Sequence, residues 1–341
     1  MKNYIKDGLI IVNKPKGLTS HDVVEKIRNL FPKVKVGHTG TLDPLATGVL
    51  LVCIGKATKL SQILVKYSKE YVAEIELGYE TDTLDSYGEI VKRLSKDELS
   101  SRLENININN IKEKNKIIVV KNFKSYHKSL KKVLDSFVGE IDQVPPIYSA
   151  IKLKGKELYK IARKNEKVEI KPKKVKIYKI QLIDTIKNSI LKIKVNCSSG
   201  TYIRALARDI GIKLKTYATL TNLVRTRIGN YKIEDSYKLE QLENLALMKR
   251  INEIVIPISE FLKIYKKVKI KDFFKKMIEN GAPLSLNMIK NIPFICKKEE
   301  TIIIYTNTKK SISLYKTVRD INLDTESNSK MVVAKAWIML N

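Results

Sequence analysis

Cysteine, histidine, tryptophan and acidic side chains are all scarce in this chain, and each shortage excludes something. Three cysteines, Cys53, Cys197 and Cys296, stand far apart with no paired spacing. That pattern excludes a disulfide framework and a four-ligand zinc site, and no other metal set is expected. Their apolar, strand-like surroundings suit reduced, buried thiols in a cytosolic protein. Long apolar runs are missing too. The opening Met1-Lys2-Asn3-Tyr4-Ile5-Lys6-Asp7 has no signal-peptide core, and no stretch is long enough to cross a bilayer, so a soluble, cytoplasmic protein is expected. Acidic residues number 36 against 65 basic ones, leaving a net charge of +29. Such a field draws in polyanions, nucleic acid above all. A compositional bias towards Lys, Ile and Asn raises the charge as well.

What is present is a core. With 43% hydrophobic residues over 341 positions the chain can fold as one large domain plus a smaller one. Gly8 to Val12 reads as a buried strand running into the turn Asn13-Lys14-Pro15-Lys16-Gly17. Thr19 and Ser20 offer helix caps before Val23, Val24, Ile27, Leu30 and Phe31 at helical spacing, ending at Pro32. Val49 to Ile54 reads as a second buried strand, Ala57 to Val65 as a short helix, and Tyr71 to Leu77 as a strand with one wet face. Residues 92–121 are polar and weakly patterned, a partly helical, mobile surface insertion. Leu130, Val133, Leu134 and Phe137 restore a helical period; Val175 to Ile183 and Ile190 to Cys197 read as partner strands; a helix opens at Gly200 and ends at Gly211. After Pro257 short apolar runs (Ile302 to Tyr305, Met331 to Ala336) suggest a small β-rich unit. The expected class is α+β: a central mixed, largely antiparallel sheet flanked by helices in residues 1–256, and a small β-rich domain in 257–341.

The densest turn chemistry lies between the first two buried strands. Gly37-His38-Thr39-Gly40-Thr41-Leu42-Asp43-Pro44-Leu45-Ala46-Thr47-Gly48 packs three glycines and a proline into twelve residues around one carboxylate. Read alone, it fits a plain turn in which Asp43 caps a backbone amide, and it fits equally a loop that holds functional groups on a rigid scaffold.

This loop closely resembles the signature of the TruB family of tRNA pseudouridine synthases, and five further blocks resemble that family in the same order. They are Asn13-Lys14-Pro15 with Gly17 and Ser20; Lys69-Glu70-Tyr71 with Thr81-Asp82-Thr83-Leu84-Asp85; Pro145 to Lys152 with Gly155, Leu158, Tyr159 and Ala162-Arg163; Cys197 to Arg204; and Leu223 to Gly229. Together they span most of residues 8–235.

The resemblance implies a pseudouridine synthase fold and an isomerase that breaks the N-glycosidic bond of uridine, turns the base and rejoins it through carbon, at position 55 in the T loop of tRNA. No cofactor is implied, because a positioned carboxylate suffices. That carboxylate is Asp43, whose attack on sugar C1′ or base C6 would use the same group. Arg204 matches the arginine that offsets its charge, a role suited to a planar fork; by itself Arg204 would read as a solvated helix residue. Tyr71 matches the tyrosine that stacks on the flipped base and takes part in proton removal, although unaided it reads as core. His38 resembles the residue behind the flipped base, and Tyr202 and Leu223 resemble pocket walls. Lys14 belongs to the N-terminal motif and is expected at the substrate. Lysines from Lys152 to Lys179, with Arg225 and Arg227, are expected to form a phosphate-binding surface, or else a solvated face. The partner implied is tRNA, read through its shape by a monomeric chain.

Two stretches depart from the family pattern. Residues 92–121 look longer and less regular than the family shows, and after Pro257 only Gly281-Ala282 and the final β-like run hint at the PUA-like RNA-binding domain common in it. A second reading, a tRNA-binding folding chaperone with secondary catalysis, rests on the net charge.

Overall fold

The computed structural model describes residues 7–105, 111–114, 117–120, 123–149, 152–153, 156–157, 169–186, 189–291, 295–306, 311–321 and 330–340. Its centre is a large mixed sheet. The strands used below are β1 (Gly8–Lys14), β2 (Val36–His38), β3 (Thr47–Ile54), β4 (Lys69–Leu77), β5 (Gly139–Gln143), β6 (Lys173–Ile186), β7 (Ile190–Cys197), β8 (Ala218–Ile228) and β9 (Ile256–Pro257). They run in the order β9-β1-β3-β8-β4-β7-β6-β5, with β2 paired to β3. Every pairing along that order is antiparallel except β3 with β8, where Thr47 meets Val224 and Gly48 meets Arg225. The expected α+β class, with a largely antiparallel sheet, is what forms.

The apolar runs of β1 and β3 have a simple cause. Alternate residues point to opposite faces, and both faces are covered. Leu9, Ile11, Val49, Leu51 and Cys53 enter one cluster with Ile303, Leu314 and Ile338 of the C-terminal part. Ile10, Val12, Leu50, Val52 and Ile54 enter another with Val23, Val24 and Ile27 of helix α1 (Ser20–Leu30). α1 begins on a capping box between Thr19 and Asp22, as the sequence suggested. In β4 one face stays wet: Glu70 and Glu74 pair with Lys194 and Lys192, while Tyr71, Ala73, Ile75 and Leu77 are buried.

Several expected boundaries move. The segment expected as one helix from Ala57 is a 3-10 turn (Gly55–Leu60) followed by the short helix α2 (Ser61–Leu64). Within 92–121 there is a helix, Lys96–Asn105, and a strand pair, Ile111–Lys114 with Ile117–Val120. Its Leu103 is buried and Leu99 packs on the main core, so this stretch is not wholly a surface element. The helix expected from Gly200 to Gly211 is α5, Ile203–Leu214, numbered after Lys96–Asn105 (α3) and Phe123–Asp135 (α4). Gly211 does not stop it. There a Cβ would meet the backbone of Tyr217 and Ala218 at 2.5 Å, so glycine serves close packing of α5 on β8; Lys215, at φ 59, makes the stop.

Beyond β9 the chain forms a six-stranded sheet, in order 284–285, 332–339, 311–317, 301–305, 266–270 and 289–291. It packs against β1 and β3 through the shared cluster above. Trp337 stands at that junction, with Lys66 at 5.9 Å and Lys316 at 4.9 Å from its ring. Among the described residues no helix is long and apolar enough to cross a membrane.

Candidate active site

The loop of residues 37–48 sits at the β3–β8 junction, and buried donors hold it along its length. Ser20 Oγ accepts from the Leu42 N–H at 2.8 Å and donates to the Leu42 carbonyl at 3.2 Å. Arg225, only 1% exposed, donates Nε to Val49 O at 2.8 Å, Nη1 to Thr41 O at 3.3 Å and Nη2 to Gly40 O at 3.2 Å. Lys14 Nζ donates to the carbonyls of Leu18, Pro15 and Pro44, and the Gly17 N–H donates to Pro44 O at 2.8 Å. Gly48, at φ +100, is forced: a Cβ there would sit 2.3 Å from Arg225 O.

Asp43 is thereby presented to Arg204 at the start of α5. Arg204 Nε donates to Oδ2 at 2.9 Å and Nη2 to Oδ1 at 3.1 Å, a two-point fork that fixes the carboxylate plane. The guanidinium is locked by further donations to Thr83 O at 2.9 Å and Tyr148 O at 3.0 Å, and Asp85 approaches it at 3.6 Å. The Arg204 side chain is 7% exposed and Asp85 8%, but Asp43 is 33% exposed. One carboxylate thus faces an opening while its partners are sealed.

That opening is a cleft of about 400 Å³ whose lining includes Asp43, Lys69, Tyr71, Tyr202, Leu223 and Arg225. Burial pushes the Tyr71 hydroxyl above the ordinary phenol range, with the neighbouring Arg225 opposing it, so Tyr71 is a neutral ring. Burial likewise raises Tyr202. Tyr202 is held by its backbone: its N–H donates to Gln143 Oε1 at 2.9 Å and its carbonyl accepts from Gln143 Nε2 at 3.1 Å. The same clamp sets the first turn of α5, and with it Arg204.

The site residues named from the sequence divide into two groups. Asp43, Tyr71, Arg204, Tyr202, Leu223 and Arg225 line one cleft. His38 and Lys14 are not among its lining residues. His38 is half-buried and its Nδ1 accepts from the Gly40 N–H at 3.2 Å; burial first, and then Arg225, lower its pKa, which keeps that acceptor available. Lys14 is fully buried against backbone carbonyls, and burial lowers it to about 8. Lys14, expected at the substrate, is enclosed behind the loop, whereas Arg225, expected on a phosphate-binding surface, is buried and reaches the cleft wall. Both donate to the loop that carries Asp43, which makes them positioning residues, and Arg225 also bonds the Tyr71 hydroxyl in the cleft. Arg227 pairs with Glu70 at 3.3 Å while staying partly exposed, and Lys173, Lys174, Lys176 and Lys179 are exposed on β6. Of Lys152 only the backbone is described, in the pair of strands Lys152–Leu153 and Lys156–Glu157; residues 154–155 and 158–168 lie outside the described residues. Sequence reasoning missed Asp85, Ser20 and Gln143 as contributors. Asp85 had a signal, its place in Thr81-Asp82-Thr83-Leu84-Asp85.

Comparison with known proteins identifies the family of this fold. The family described as TruB family pseudouridylate synthase (N terminal domain) matches residues 28–116 and 105–203, and the tRNA pseudouridylate synthase B C-terminal domain matches 204–263. The tRNA pseudouridine synthase B of Clostridium kluyveri is 39% identical over 310 residues, 90% of this chain and 94% of that protein. That of Caldanaerobacter subterraneus subsp. tengcongensis is 42% identical over 275 residues, 81% of this chain and 85% of that one. Among solved structures, a chain of a Cbf5-Nop10-Gar1 complex superposes with a TM-score of 0.67 at 25% identity, covering 99% of this chain and 86% of its own. A bidentate Asp43–Arg204 pair in an aromatic-lined cleft, on this sheet and with these relatives, places the chain in the TruB family of pseudouridylate synthases.

Proposed function

We propose that this chain isomerises uridine 55 in the T loop of tRNA to pseudouridine, with Asp43 as the nucleophile. The observation that carries the reading is the two-point Arg204–Asp43 contact at the mouth of a cleft lined by Tyr71. It supplies an oriented carboxylate with its counter-charge in a site where a lone charge would be costly. The target base is flipped out of the loop and stacks on Tyr71, and Leu223 and Tyr202 bound the cleft beside it. The C1′–N1 bond breaks, the base turns, C5 bonds to C1′, the proton on C5 leaves and N1 gains one. The isomerisation is balanced without any co-reactant. Exposed lysines on β6 and the net charge of +29 hold the phosphates of a single tRNA on a monomeric enzyme.

Carbodiimide mapping of tRNA from cells lacking this protein tests the assignment: the T-loop pseudouridine stop should vanish, and an unchanged stop would sink it. The same charge favours a second activity as a tRNA folding chaperone. An Asp43→Asn chain separates the two, because a chaperone would still promote tRNA folding after tritium release from C5-labelled uridine has ceased.

A further inference from the structure

Lys69 opens β4 two residues before Tyr71, and the strand's alternation puts both on the face that meets the cleft. It is 6% exposed and lines the cleft. Its Nζ donates to Val65 O and to Tyr67 O at 2.6 Å, carbonyls just beyond the C-terminal end of α2. A helix end can be capped by a backbone turn or a neutral side chain, without burying a cation. An ammonium has three donors, and those two contacts leave one unspent.

The other cations at the cleft are committed or wet. All three nitrogens of Arg204 serve Asp43, Thr83 and Tyr148, and Arg225 serves three loop carbonyls and the Tyr71 hydroxyl. Lys173 is exposed on β6, where water screens its charge. We propose that the Lys69 ammonium is a catalytic residue, which donates its third N–H to a carbonyl oxygen of the target uracil and stabilises the negative charge that the ring carries during isomerisation. The inference rests on the uridine isomerisation proposed above. It holds for either first step. If C1′–N1 breaks heterolytically, the bonding pair leaves with the base, as an anion shared by N1, O2 and O4. If Asp43 adds to C6, the displaced pair becomes an enolate on O4. In both cases charge develops beside Tyr71, in a low-dielectric site where a fixed cation acts strongly.

Single-turnover tritium release from tRNA labelled at C5 of uridine tests this. Lys69→Met should slow release by about 100-fold, with tRNA affinity within about threefold of wild type. Lys69→Arg, which keeps the charge and the donors, should recover most of the rate. Burial and the nearby Arg225 lower Lys69 to about 8, with Cys197 on β7 opposing them; Tyr71 and Tyr67 are its other titratable neighbours. The wild-type rate should therefore fall above pH 8, and the Lys69→Arg rate should hold there. A Lys69→Met rate within threefold of wild type would overturn the proposal. If that variant does not fold, identical alkaline limbs for wild type and Lys69→Arg overturn it instead. A wild-type chain that releases no tritium overturns the underlying isomerisation and this proposal with it.

Discussion

Two short loops bring an aspartate to the same arginine, and they treat it in opposite ways. The 37–48 loop leaves the Asp43 side chain 33% exposed and offers both oxygens to Arg204. The 81–88 loop keeps Asp85 8% exposed at 3.6 Å, and its Oδ1 already accepts from Thr83 Oγ1 at 2.8 Å and the Tyr87 N–H at 3.0 Å. Leu84 between them is held at φ 63, a strained setting for a branched side chain, with its carbonyl accepting from the Leu220 N–H. A carboxylate sealed from the cleft, with one oxygen held by its own loop, cannot reach a substrate. One that only a removable fork constrains can. Two identical side chains are set apart by which of them opens to the cleft.

Substitutions can break that division, in decreasing order of effect. Asp43→Asn keeps the shape and removes the proposed nucleophile; single-turnover tritium release should fall by about 10⁴-fold or more, with tRNA binding retained in a filter assay. Arg204→Lys keeps the charge and loses the fork. We expect a rate loss of about 10²- to 10³-fold, read in the same assay against an unchanged tRNA Kd. Asp85→Asn leaves the Oδ1 contacts and removes only a charge at 3.6 Å, so about a tenfold loss is expected. If Asp85→Asn matched Asp43→Asn in severity, the division of roles would be wrong.

The smallest effect concerns stability. Lys14 and Lys69 are lowered by burial from 10.5 to about 8, so above pH 8 the folded chain binds fewer protons than the unfolded one. Stability contributed by these two lysines should thus rise with pH from 8 towards 9. Above 9 the buried thiols of Cys53, Cys197 and Cys296, pushed up to about 12, 11 and 11, stay protonated only in the fold and reverse the trend. Urea midpoints between pH 7 and 10 should pass through a shallow maximum; a monotonic fall from pH 8 would show that the two lysines are not paying a desolvation cost.

Much of this was legible in the sequence where local chemistry decides. The capping box at Thr19 and Asp22, the alternation of β4 and the doubly buried runs of β1 and β3 all follow from residue patterns with one physical solution each. Asp43 and Arg204 were legible only through family resemblance, since 161 residues separate them and no periodicity links them. The cations deceived for a related reason. An arginine in a basic strand looks solvated, and only the parallel register of Gly48 with Arg225 reveals that the side chain must reach under a loop rather than out to water. Gly211 misled as a helix stop because a small residue needed for contact with a later strand is indistinguishable in one dimension from a terminator.

Trp337 gives the protein an internal reporter. It is the chain's one tryptophan, and its ring lies near both Lys66, in the segment that leads to the cleft wall at Lys69, and Lys316 of the C-terminal sheet. Indole emission is sensitive to nearby charge and to water, so the chain's single indole sits on the seam between the two sheets. Its emission would register any parting of that seam as RNA loads, in unlabelled enzyme and in real time.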